Sequence, residues 1–122
     1  MTDLRGRPAV LATELLRRGA RFVVVGSTAR WLTTGHGVPR DLDVAVCRDD
    51  LPALAAALGR LGVATTAERL GRAGQSHVDT SWGPLDVFVD EGHAHEAASC
   101  AGAATVAHER AGQVWQLAVR AA

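Results

Sequence analysis

The chain contains no lysine; all 13 of its basic residues are arginine. Any phosphate held by a cationic side chain must therefore be held by a planar, two-pronged guanidinium rather than a mobile ammonium. Thirteen acidic residues balance the arginines, and the net charge is zero. That balance excludes a broad basic footprint, so nucleic acid is not an expected partner. Only two cysteines occur, Cys47 and Cys100, without a C-x-x-C pair. Neither a zinc site nor a disulfide framework is indicated, and both thiols are expected to act as small reduced hydrophobes. No apolar run is long enough to span a bilayer and no signal-peptide pattern opens the sequence. No membrane partner is expected, and the expected compartment is the cytoplasm.

What is present suits one compact unit. A length of 122 residues with 48% hydrophobic and 21% charged residues fits a single domain over 1–122 with a real core. There is no internal repeat and no linker. Val10, Leu11, Leu15 and Arg18 recur at helical spacing, with Pro8 in the first turn and Gly19 as a stop, which predicts a helix over 7–18. A buried strand over 21–25 runs into a short helix over 27–33, and a breaker-rich loop over 34–39 leads to a strand over 41–46. Asp49 or Asp50 is expected to cap a helix reaching Leu58, with Pro52 in its first turn. Further on, the pattern predicts a strand over 63–70, a turn over 71–75, and a hairpin of 77–82 with 85–89 around Gly83-Pro84. A short helix over 93–100 and strands over 103–106 and 113–119 follow, the Ala-rich run 97–107 being an alternative helix. The fold class is thus α/β (α+β), a mixed, mostly antiparallel sheet flanked by helices.

The chemistry concentrates where Phe22-Val23-Val24-Val25-Gly26-Ser27 is followed by Arg40-Asp41-Leu42-Asp43-Val44-Ala45-Val46. Alternation along a strand puts Asp41 and Asp43 on one face, roughly 7 Å apart, and Leu42, Val44 and Val46 on the other. Paired carboxylates repel each other and attract hard cations such as magnesium. The Gly-Ser turn opens a helix whose first N–H groups suit phosphate. In Leu85-Asp86-Val87-Phe88-Val89 the apolar residues Leu85, Val87 and Val89 share a face, and Asp86 takes the other. If that strand lies beside the Asp-x-Asp strand, Asp86 completes a trio able to hold two metal ions. Asp79 and Asp90 are the rival third carboxylates.

Gly26-Ser27 at a strand end, a short helix, Asp41-x-Asp43 and a later Asp86 together resemble the polymerase beta-type nucleotidyltransferase superfamily, over about residues 7 to 90. The resemblance implies a minimal nucleotidyltransferase fold and magnesium-dependent transfer of a nucleoside monophosphate from a nucleoside triphosphate, with ATP as the expected donor. It implies that Asp41 and Asp43 bind two Mg²⁺ ions, and that Asp86 binds the catalytic ion and assists deprotonation of the acceptor. Gly26 and Ser27 would hold the β- and γ-phosphates, with Arg30 and Arg40 as further phosphate contacts. The 32–40 loop resembles the longer loops of small bacterial enzymes that modify antibiotics and of nucleotidyltransferase-like toxin–antitoxin proteins.

The implied acceptor is a hydroxyl of a small molecule or of a protein. The alternatives are an antitoxin-like domain that binds or modifies a partner toxin, and a nucleotide-binding relative without turnover. Many relatives append a helical domain that grips base and acceptor. Only 32 residues follow Asp90, so a second copy of the chain, as in a homodimer, a partner protein, or a shallow nucleotide site is expected. The chain has no tyrosine, so self-modification on that residue is excluded. His93-x-His95-Glu96 lacks a third ligand at metal-binding spacing and reads as surface. His36 reads as a solvated loop residue, and Trp31 as a core or subunit contact.

Overall fold

The computed structural model describes residues 7–90, 104–110 and 112–120. Helix α1 (Arg7–Arg17) is followed by strand β1 (Val23–Val25), helix α2 (Gly26–Thr34) and strand β2 (Leu42–Cys47). A single 3₁₀ turn, Arg48–Asp50, leads into α3 (Leu51–Arg60), and α4 (Ala67–Gly71) precedes the hairpin β3 (Gln75–Thr80) and β4 (Gly83–Asp90). A second hairpin, β5 (Ala104–Arg110) and β6 (Gln113–Val119), completes one six-stranded sheet in the order β3-β4-β2-β1-β6-β5. The sheet is mixed. β1–β2, β3–β4 and β5–β6 run antiparallel, while β2–β4 and β1–β6 run parallel. The expected α/β class holds. Among the described residues, no helix is long and apolar enough to cross a membrane.

One apolar core joins helices to sheet. Leu11 and Leu15 of α1, Leu54 and Leu58 of α3 and Leu70 of α4 are buried with Val24, Leu42, Val44, Val46, Leu85, Val87, Leu117 and Val119. Strands β2, β4 and β6 supply alternate residues to this core, as the period of two requires. Burying one such leucine or valine side chain contributes about 1.5–3 kcal/mol. Cys47 is buried, as expected of a small hydrophobe. Trp82 is half-buried and packs against the core.

Several expectations change. The segment expected as a strand over 63–70 instead contains α4, because Thr66 caps it: the Thr66 Oγ1 accepts the Arg69 N–H at 3.1 Å. Asp50 stands at the N-cap of α3 without a side-chain capping bond, and the 3₁₀ turn fills that role. The hairpin turns at Ser81-Trp82 rather than at Gly83-Pro84, held by the Thr80 hydroxyl, which donates to the Gly83 carbonyl at 2.7 Å and accepts the Trp82 N–H at 3.1 Å. Pro84 is tolerated because it sits near the start of β4, before the β2 ladder begins at Leu42 and Leu85. Ala104 to Ala107 lie in β5 and not in a helix. The helix expected over 93–100, Cys100 and the His93-x-His95-Glu96 cluster lie outside the described residues.

Candidate metal centre

The sheet register alone assembles a row of side-chain positions. Val25 of β1 stands opposite Asp43 of β2, Asp43 opposite Asp86 of β4, and Asp86 opposite His77 of β3. All lie on the face away from Leu42, Val44, Leu85 and Val87, which are buried in the core. Asp41 lies one residue before β2, in a bend rather than within the strand as expected. A hydrogen bond replaces the ladder there: the Thr28 hydroxyl of α2 donates to the Asp41 carbonyl at 2.8 Å. The result is one group, among the described residues, in which Asp41, Asp43 and Asp86 each offer an oxygen within 4.8 Å of the others.

Gly26 closes the other side of this group. Its φ of +71° is a left-handed conformation natural to glycine. A Cβ at this position would collide with Oδ2 of Asp43 and lie 3.2 Å from its Cγ. The sequence must therefore place glycine here for two reasons, backbone conformation and the approach of a carboxylate. Directly after it, α2 starts with Val25 at the N-cap and no side chain capping it. The first N–H groups of the helix at Gly26 and Ser27 are left for another acceptor, and the positive end of the helix dipole points with them. At its other end Gly35 closes the helix, with φ of +74° and its N–H on the Trp31 carbonyl at 2.9 Å.

The electrostatics of the trio are unfavourable without a counter-charge. Two carboxylates at such a separation repel by on the order of 3 kcal/mol at the effective dielectric of a protein surface. Asp43 registers this strain. Its carboxyl is pushed up to about 6, first by partial burial, then by the charge of Asp86, a hydrogen bond shared with Asp86, and the charge of Asp41. A shared hydrogen bond between two carboxyl groups needs a proton in place of a cation. Three hard oxygen donors that crowd together within 4.8 Å of one another fit magnesium.

His77, which the sequence pattern did not single out, stands beside the trio. Its Nδ1 is 2.9 Å from Oδ1 of Asp86, and its Nε2 is 3.0 Å from Oδ1 of Asp79. These two bonds raise its pKa above the ordinary histidine value. Asp79, a rival third carboxylate, thus pairs with His77 at the sheet edge. Asp90, the other rival, stands opposite Cys47, four positions along the ladder from the Asp43–Asp86 level.

Next to Asp43 and Gly26 lies a groove of roughly 440 Å³, lined also by Val25, Ala45, Phe88 and Arg120. Of the two arginines expected at phosphate, Arg30 is exposed on α2, one turn beyond Gly26. Arg40 lines a second cavity of roughly 310 Å³ with Arg7, Trp82 and Pro84. Arg120 is the arginine that the structure brings to the lining of the groove beside the trio. It was not legible beforehand because it follows β6, nearly eighty residues from β2 in sequence, and reaches the site through the parallel β1–β6 pairing and its N–H on the Val24 carbonyl at 2.8 Å. His36 is exposed in its loop, with its N–H on the Thr34 hydroxyl at 3.1 Å, and Trp31 is half-buried. Comparison of the chain with protein-family models, with curated proteins and with solved structures finds no match in any of the three.

Proposed function

We propose that this chain is a magnesium-dependent nucleotidyltransferase that moves a nucleoside monophosphate from a nucleoside triphosphate, ATP in the first instance, to a hydroxyl. The observation that carries the proposal is the convergence of Asp41, Asp43 and Asp86 against a glycine that opens an uncapped helix. Carboxylates beside free helix N–H groups can bind the two halves of one ligand, a cation and the phosphates it neutralises. Magnesium bound at the trio would supply charge neutralisation of the phosphates and acidify the acceptor hydroxyl.

The residues of the chain then have separate tasks. Gly26 and Ser27 donate backbone N–H groups to the terminal phosphates. Asp41 and Asp43 would hold the cation whose charge draws the α-phosphate into place. The acceptor oxygen attacks the α-phosphorus, the bond to the β-phosphate oxygen breaks, pyrophosphate leaves, and Asp86 takes the hydroxyl proton. The groove beside Asp43 has the size and the apolar lining of Val25, Ala45 and Phe88 that a nucleoside needs. The acceptor is a small molecule or a partner protein, and not a tyrosine of this chain, which has none.

Calorimetry with ATP and the other triphosphates, with and without Mg²⁺, tests the proposal. The expected outcome is triphosphate binding that requires the metal and is lost in Asp41→Ala. Binding of equal strength in EDTA, or in that variant, would sink it.

A further inference from the structure

His77 and Asp79 lie on the edge strand β3, on the same face as Asp86 because they are two residues apart. The antiparallel register puts His77 directly opposite Asp86. The imidazole is therefore held at both ends, Nδ1 on Asp86 and Nε2 on Asp79. The carboxylate of Asp86 thus lies between the His77 ring on one side and the oxygens of Asp41 and Asp43 on the other. His77 does not itself join the group of converging oxygens formed by Asp41, Asp43 and Asp86. It touches one member of that group from outside.

We propose that His77, steadied by Asp79, is a positioning residue that sets the orientation of Asp86 for cation binding. The inference rests on the metal-centre reading given above. The physical case is one of geometry. A carboxylate has a broad rotation about its last bond, and two neighbouring aspartates push Asp86 away from the position a cation needs. A donor on Oδ1 restricts that rotation and leaves the remaining lone pairs for the cation. A carboxylate without such support would be ordered only when the cation arrives, and the cost of that ordering would come out of the affinity. Asp79 acts one step further out. Its side chain is 86% exposed against 18% for Asp86, and its contact at Nε2 fixes the plane of the ring.

Side-chain chemistry offers a separable test. Asparagine at position 77 keeps an N–H donor near the place of Nδ1 and loses the reach to Asp79, whereas alanine loses both. The experiment measures Mn²⁺ affinity by the loss of the free-ion paramagnetic resonance signal, for the full chain and for His77→Ala, His77→Asn, Asp79→Ala and Asp43→Asn. The line shape of the bound ion is recorded alongside, because a structural role would not alter it. The His77 side chain is 53% exposed, so the folded state is expected to survive each change at that position, which thermal melts by circular dichroism check.

His77→Ala should weaken Mn²⁺ by about tenfold or more and broaden the bound-ion spectrum. His77→Asn should recover affinity to within about threefold of the parent, and Asp79→Ala should cost severalfold. Parent-like affinity in His77→Ala, with binding still abolished in Asp43→Asn, overturns the positioning role and leaves the metal centre standing. Equal weakness of the Ala and Asn variants also overturns it, because the donor would then not be what matters. A parent protein that takes up no Mn²⁺ overturns the metal centre and the positioning role together.

Discussion

The β2–β4 pair has two faces with opposite tasks. On one, Leu42, Val44, Val46, Leu85 and Val87 are buried beneath the helices. On the other, Asp43 and Asp86 crowd against Asp41 beside a groove floored by Ala45 and Phe88. A step of one residue along either strand passes from core to carboxylate. The comparison shows why the chain can hold mutually repelling charges: the same parallel ladder that brings Asp43 level with Asp86 also brings Leu42 level with Leu85 and Val44 level with Val87. The apolar face fixes the ladder, and repulsion of a few kcal/mol on the other face is offset by burial on the first. On the proposed function, the face a residue occupies should decide whether its loss is felt in stability or in binding.

Reciprocal substitutions would break that comparison if it is wrong. Asp43→Asn removes one negative charge and keeps the shape, so metal-dependent binding should fall by about 100-fold or more, equivalent to at least ~2.7 kcal/mol. Its melting temperature should stay level or rise, because the ionised carboxylate is disfavoured where it stands. Leu85→Ala should do the reverse. It should cost about 2–5 kcal/mol in denaturant unfolding, with the metal affinity of the folded protein within about threefold of the parent. Similar losses of binding in both variants would erase the distinction between the faces.

Gly26 belongs to neither face and sharpens the comparison from its boundary. Alanine there meets two obstacles, the left-handed φ and the Asp43 carboxylate. Gly26→Ala should therefore lower stability by about 1–3 kcal/mol and weaken Mn²⁺ by about tenfold, as Asp43 is displaced. Urea unfolding and metal titration of the same preparation check both halves. A stability loss with unchanged metal affinity would mean that Asp43 can move aside without leaving the trio.

The strand-borne part of the site was legible because period-two alternation is local. Leu42, Val44 and Val46 name the core face of β2, so Asp43 had to lie opposite, and the same logic placed Asp86. Asp41 was placed in the strand by that logic, yet it stands just before β2, where the Thr28 hydroxyl holds its carbonyl and not the ladder. His77 and Arg120 were not legible, since each reaches the site through a pairing between strands that no local pattern specifies. The segment before β3 went astray for a different reason. Val63, Thr65 and Thr66 favour a strand on propensity, but Thr66 is used as a helix cap. The hairpin was found with its turn misplaced, because Gly83-Pro84 is a strong turn signal and the Thr80 hydroxyl binds the turn two residues earlier.

The smallest expected effect follows pH on the carboxylate face alone. Asp43 has its folded pKa pushed up to about 6 from an ordinary 3.8. The metal-free native state therefore binds a proton more readily than the unfolded chain does. The stability this group contributes is fully present below the unfolded value and is lost as pH rises through about 6. Solvent around the half-open site screens the effect to about 1 kcal/mol or less. Melting curves of the metal-free parent and of Asp43→Asn should converge at neutral pH less well than at pH 4, with the parent the one that gains stability on acidification. A cation must displace the same proton, so Mn²⁺ affinity should fall by up to about tenfold per pH unit below 6 in the parent. Leu85→Ala, whose change lies on the other face, should keep both pH dependences, and a loss of either in that variant would show that the faces are coupled through the ladder.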